Sequence, residues 1–157
     1  MKYFGLLILS GLMIISCNQR PQQSSKPELQ KQTIAGNDSI RDGVFIHITE
    51  SYKDPHRVLM PMKMATIMAD NKDVIVYLDI HAVELLVKDA KDLHFGGFES
   101  FQTYLKQLLD NGIAVYACPT CLKVAGFEPE DLMDGVQIAE KEKFFNFTKG
   151  RILALDY

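Results

Sequence analysis

The run Asp73-Val74-Ile75-Val76-Tyr77-Leu78-Asp79 is apolar at five consecutive positions and bounded by an acid at each end. A strand with one wet face alternates apolar and polar residues. This one is apolar on both faces, the pattern of a strand inside a parallel sheet covered by helices. Upstream, residues 44–49 predict another strand and residues 50–55 a polar loop. Residues 56–69 predict a helix with Leu59, Met62, Ala65 or Thr66, and Ala69 on one face. Pro61 is expected to kink that helix or to move its start later. Downstream, residues 81–87 predict a short helix, and residues 98–109 a longer one ended by Asn111-Gly112. Residues 113–117 form a third strand. Cys118 opens a short helix that stops near Gly126. A brief strand (136–139), a helix (140–147, capped by Gly150) and a closing strand (151–157) complete the chain. The order β-α-β-α-α-β-α-β-α-β predicts an α/β fold of three layers, α/β/α. Its sheet is expected to be mainly parallel, with about five strands and helices on both faces. Such sheets bind ligands beyond the carboxyl ends of their strands. Cys118, the 50–55 loop and His81 all fall at such ends.

The N-terminus carries an address. Lys2 precedes an apolar stretch from Phe4 to Ile15, shorter than the ~20 residues a membrane span needs. A basic start, a short apolar core and small residues before the cut read as a signal peptide over residues 1–16. The ending Ile14-Ile15-Ser16-Cys17 resembles a bacterial lipobox, which implies that Cys17 is acylated and becomes the first mature residue. Asn18 follows, not the Asp that resembles an inner-membrane retention signal. The expected location is therefore the periplasmic face of an outer membrane. With Cys17, residues 18–42 are rich in Gln, Ser, Lys and Pro and have no aromatics, so residues 17–42 are expected to form a lipidated tether.

What remains, residues 43–157, is one domain of about 115 residues, large enough for a real core. Net charge is −3, and −4 once Lys2 is lost with the signal. With no basic stripe interleaved with aromatics, nucleic acid is not an expected partner. No GxGxxG or Walker pattern occurs, so no phosphate cradle, flavin or other cofactor is expected.

Two cysteines carry the chemistry. Cys118-Pro119-Thr120-Cys121 follows a strand directly and starts a helix. With Cys118 at the N-cap, Pro119 takes the first helical position, where its missing N–H costs nothing. The N–H groups of Thr120 and Cys121 and the helix dipole then favour a Cys118 thiolate. Cys121 is placed to resolve a persulfide or a sulfenic acid as a disulfide. The pair supplies half of a zinc site. No second CxxC exists, and His47, His56, His81 and His94 lack ligand spacing, so no metal is expected. His56 and His81, both just past strand ends, are pocket candidates that would offer a proton or charge to Cys118. Arg57 is a further candidate, for an anionic sulfur species. His47, inside an apolar strand, reads as a core residue. Met60, Met62, Met64 and Met68 read as core or subunit interface, and Phe144, Phe145 and Phe147 as packing.

Four segments resemble the DsrE/DsrF-like family. They are Gly43-Val44-Phe45-Ile46-His47-Ile48, Asp54-Pro55-His56-Arg57-Val58, Cys118-Pro119-Thr120-Cys121-Leu122-Lys123 and Phe144-Phe145-Asn146-Phe147-Thr148-Lys149-Gly150-Arg151. The resemblance spans residues 43–157. It implies the α/β fold just read, a trimer or hexamer, and a cysteine that carries sulfur as a persulfide. By spacing to Gly126 that cysteine matches Cys118, and Cys121 is the extra cysteine seen in many relatives. The family's known relays are cytosolic and serve sulfur oxidation or tRNA thiolation. The exported address here implies a periplasmic sulfur or thiol-redox role instead, with a donor or acceptor protein or a small thiol as partner. The competing expectation is a non-catalytic, oligomeric binding subunit of an envelope complex.

Overall fold

The computed structural model describes residues 40–157. The expected signal peptide, Cys17 with its expected acylation, and nearly all of the expected tether lie outside them. Arg41 and Asp42, grouped with the tether by composition, are tied to the folded domain. Arg41 donates to the carbonyls of Ala69 and Lys72, and Asp42 pairs with Arg151. Among the described residues no helix is long and apolar enough to cross a membrane.

Five strands form one sheet: β1 (Gly43–Ile48), β2 (Asp73–Leu78), β3 (Ala114–Ala117), β4 (Gln137–Ile138) and β5 (Ile152–Asp156). The order is β4-β3-β2-β1-β5, and every pairing is parallel. The helices are α1 (Pro55–Met68), α2 (Phe101–Asp110), α3 (Pro119–Val124) and α4 (Lys143–Asn146). From β1 to β4 the chain steps one way across the sheet. It then returns past β1 to place β5 on the opposite edge. Right-handed crossovers in opposite directions deliver their helices to opposite faces. That is why α1 and α2 cover one face and α4 the other.

The two faces are unequal. On the upper face Val44, Ile46 and Ile48, Val74, Val76 and Leu78, and Val115 and Ala117 point into the main core. There they meet Val58, Leu59, Met62 and Ala65 of α1 and Phe101, Tyr104, Leu105 and Leu108 of α2. The lower face presents Phe45, His47, Tyr77 and Tyr116. It is roofed by the short α4, whose Phe144 ring stands edge-on over Phe45 at 5.5 Å and Tyr77 at 5.1 Å.

Local differences from the sequence have local causes. α1 begins at Pro55 and runs through Pro61 rather than starting after it. The Asp54 carboxylate accepts from the Arg57 N–H at 3.2 Å, and Pro55 suits the first turn. These fix the start, while the Pro61 ring is buried in the core. α2 starts at Phe101, not residue 98, because Ser100 supplies the cap to the Thr103 N–H. Gly112 follows α2 with φ +74°, the left-handed closure that Asn111-Gly112 predicts. The segment after β2 is a 3-10 turn, Ala82–Leu85, rather than a longer helix. α4 spans four residues instead of eight and has no side-chain cap.

Candidate functional site

Cys118 leaves β3 and caps α3, with Pro119 as the first helical residue. Its backbone N–H donates to Leu78 O at 3.0 Å, which pins the turn to the end of β2. Its Sγ accepts from the Cys121 N–H at 3.4 Å. Both cysteines are free thiols and half-buried. Burial opposes a charge on Cys118. The Tyr77 hydroxyl, the Cys121 thiol and the N–H groups of Cys121 and Thr120 outweigh it and hold the Cys118 thiol below its ordinary value. The Cys121 thiol moves the other way. Burial raises it, as do its donation to Cys118 and the charges on Cys118 and Asp79, against one favourable contact from the Ile80 N–H. The two sulfurs are thus set apart, Cys118 toward the thiolate and Cys121 toward the thiol.

Ile80 makes this possible at a conformational cost. It turns the chain between β2 and the 3-10 turn at φ +49°, where a β-branched residue is rarely found. The turn aims its N–H at the Cys121 sulfur, while its side chain stays 54% exposed. Backbone strain of this kind persists where the surroundings enforce it.

Below the cysteines lies a second cluster. The His47 ring stacks on Tyr77 at 5.4 Å, and its Nδ1 is 2.8 Å from Asp156 Oδ1. Its Nε2 is 2.9 Å from Asp79 Oδ1. That contact lies off the line a hydrogen bond requires, and both atoms are buried without a well-directed partner. Burial, above all, and the hydrogen bond to Cys118 push the Tyr77 phenol far above its usual value, so it stays a donor.

His81 lines a cleft of about 360 Å³ with Ile80, Thr120, Cys121 and Val124. On its other side it borders a smaller hollow with Glu50, Ser51 and Tyr52 of the strand-end loop. The strand-end loop, His81 and Cys121 are therefore brought together, while Cys118 does not line either hollow. His56 stacks instead on Phe95 and Phe98 at 5.4 and 5.5 Å. The Arg57 N–H caps α1 and its side chain is exposed. Neither lines the cleft at Cys121. A larger groove lies beside α2, between Lys106 and Asp134, and has no cysteine or histidine in its walls. Among the described residues no group of three or more His, Cys, Asp or Glu is arranged to hold a metal ion.

His47, Tyr77, Asp79 and Asp156 are the residues that sequence reasoning passed over as site residues. Strand alternation could have found two of them, Tyr77 and Asp79. Tyr77 and Asp79 are two apart, so they share a face, and the parallel register sets Tyr77 beside His47.

The sequence profile of the DsrE/DsrF-like family matches residues 42–149. Among solved structures, the YchN protein of E. coli superposes with a TM-score of 0.60 at 20% identity, over 74% of this chain and 99% of that one. A protein of unknown function from Methanobacterium thermoautotrophicum, MTH1491, gives 0.52 at 20% identity, over 72% and 98%. At these identities the likeness is one of fold. No curated protein matches by sequence.

Proposed function

We propose that this chain, which belongs to the DsrE/DsrF-like family, carries sulfur or exchanges disulfides through Cys118, with Cys121 as resolving thiol. The observation that carries the reading is the Cys118 sulfur at the α3 N-cap, supported by the Tyr77 hydroxyl and two backbone N–H groups. In loading, the Cys118 thiolate attacks the outer sulfur of a donor persulfide. The new S–S bond forms as the donor's S–S bond breaks, and the donor leaves as its thiolate. In unloading, an acceptor thiolate attacks the outer sulfur and Cys118 leaves, again as a stabilised thiolate. The same arrangement suits attack on a disulfide of a protein or a small thiol.

The address belongs to the same proposal. Cys17 would be acylated and would hold the domain at the periplasmic face of an outer membrane, a reading supported by the lipobox-like sequence. Metabolic labelling with palmitate, lost in Cys17→Ser, tests it. Self-association as a trimer or hexamer is supported by the exposed apolar residues Phe145, Ile152 and Leu153 at the β5 edge and on α4. Sedimentation of the purified protein tests that.

The deciding experiment is the mass of the reduced protein after anaerobic incubation with a sulfane-sulfur donor. Gain of one sulfur, lost in Cys118→Ser and kept in Cys121→Ser, establishes a carrier. Loss of two hydrogens in the wild type, with no sulfur gained by Cys121→Ser, points to disulfide exchange. No change in any form leaves a binding role without thiol chemistry.

A further inference from the structure

Asp79 is the group the proposed chemistry leaves idle. It follows β2 directly, and extending the β2–β3 register by one residue sets it level with Cys118. On its other side stands His47, and beyond His47 stands Asp156, whose side chain is 74% exposed. Asp79 itself is only 18% exposed. A row of ionisable side chains thus crosses the lower face from solvent at β5 toward the cysteine pair. The inner oxygen of Asp79 is buried without a well-directed partner. Such an atom is costly to keep and calls for an explanation.

The unloading of a persulfide onto the resolving thiol supplies one. In the balanced step, the Cys118 persulfide and the Cys121 thiol give the Cys118–Cys121 disulfide and one molecule of hydrogen sulfide. The Cys121 sulfur attacks Cys118 Sγ and sheds its proton. The bond from Sγ to the outer sulfur breaks, and its electron pair goes to the outer sulfur. That sulfur needs a proton to leave as neutral hydrogen sulfide. One proton must therefore travel from Cys121 to the departing sulfur within the same step. Burial makes a waiting Cys121 thiolate unfavourable, so the proton has to move as the bond forms.

We propose that Asp79 takes this proton from Cys121 and returns it to the departing sulfur, with His47 and Asp156 fixing the carboxylate and linking it to solvent. The inference rests on the carrier reading of Cys118. His47 of β1 lies against Asp79, with Asp156 of β5 on the far side of His47; the charge of Asp79 reaches Tyr77 of β2 and Cys121 of α3, and Cys118 is level with it in register. His81 and Glu84 stand beyond Cys121, in the cleft.

The test follows sulfide release from the full-length reduced chain after loading with one equivalent of a sulfane-sulfur donor, by rapid mixing with a sulfide-reactive dye. Asp79→Asn is expected to load Cys118 fully and to release sulfide about 100-fold more slowly, the usual effect of removing a general acid–base group. It should also flatten the dependence of release on pH, and Asp79→Glu should restore part of the rate. Release at the wild-type rate from loaded Asp79→Asn overturns the proposal and leaves the carrier reading intact. So does slowed release in His81→Gln alone, which assigns the proton transfer to His81. Failure of the wild type to load ends both readings. Should Asp79→Asn not fold, His47→Gln takes its place, and an unchanged pH profile of release in that variant counts against the proposal.

Discussion

Tyr77 lies on β2 two residues short of the level of Cys118, which follows neighbouring β3, and its phenol, as a donor, helps hold the Cys118 thiol below its ordinary value. The donor is itself held rigid, stacked on His47 and capped by the edge of Phe144. Tyr77→Phe keeps this packing and removes only the hydroxyl. A hydrogen bond to a charged group contributes about 1.5 kcal/mol or more. Alkylation of Cys118 by iodoacetamide at neutral pH should therefore slow about tenfold, with its pH profile displaced upward. An unchanged profile would mean that the N–H groups alone support the thiolate.

The opposed shifts of the two thiols give stability a maximum in pH. The folded Cys118 value is lowered, so between it and the ordinary thiol value only the unfolded chain holds that proton, and stability rises with pH. The folded Cys121 value is raised, so above the ordinary value only the native state holds its proton, and stability falls. Urea denaturation across the neutral to alkaline range should show the rise vanish in Cys118→Ser and the fall vanish in Cys121→Ser.

Ile80→Gly should stabilise the fold. The left-handed backbone costs an L-residue roughly 1–2 kcal/mol, and the exposed side chain gives up little burial. Glycine's larger unfolded entropy offsets about 0.5–1 kcal/mol of the gain. A net increase of about 0.5–1 kcal/mol in urea is expected from that difference, with Cys121 reactivity retained because its contact is with a backbone N–H. Destabilisation would show that the apolar rim of the cleft matters more than the strain.

Gly150→Ala should destabilise by about 1–3 kcal/mol, as overpacking does. An added Cβ there would collide with the carbonyl of Arg41. The clash is with backbone, and Arg41 is held by its bonds to Ala69 and Lys72. Gly43→Ala presses side chains rather than backbone, Thr148 Cγ2 at 2.5 Å and the Phe147 ring at 2.7 Å. Thermal unfolding of the two variants should rank Gly150→Ala as the worse.

What could be read in the sequence was local. Cys118, Pro119 and Gly126 announce a helix start and stop within nine residues, and Asn111-Gly112 a helix end within two. The doubly apolar β2 announces the parallel sheet. His47 could not be read this way. In its own strand it is a polar residue among apolar ones, and its meaning comes from Asp156, 109 residues away. That pairing exists because β5 returns to β1 rather than extending the sheet beyond β4, a choice no local pattern encodes. Ile80 was equally opaque, since a β-branched residue is among the last expected at a positive φ. Pro61 misled for the opposite reason. Its local signal is strong, and the cap at Asp54 together with burial of the ring overrode it.

The unequal faces have a consequence for how the protein breathes. The upper layer rests on two multi-turn helices, whereas the lower is a four-residue helix without a side-chain cap, secured chiefly by one phenylalanine ring. Segments with so few buried contacts open at a fraction of the cost of global unfolding. α4 can therefore lift while the sheet, α1 and α2 stay intact, and its amides should exchange with deuterium long before those of β1 and β2. Beneath it lie Tyr77 and, stacked on it, His47, so the proposed proton path runs under the least secure cover of the fold.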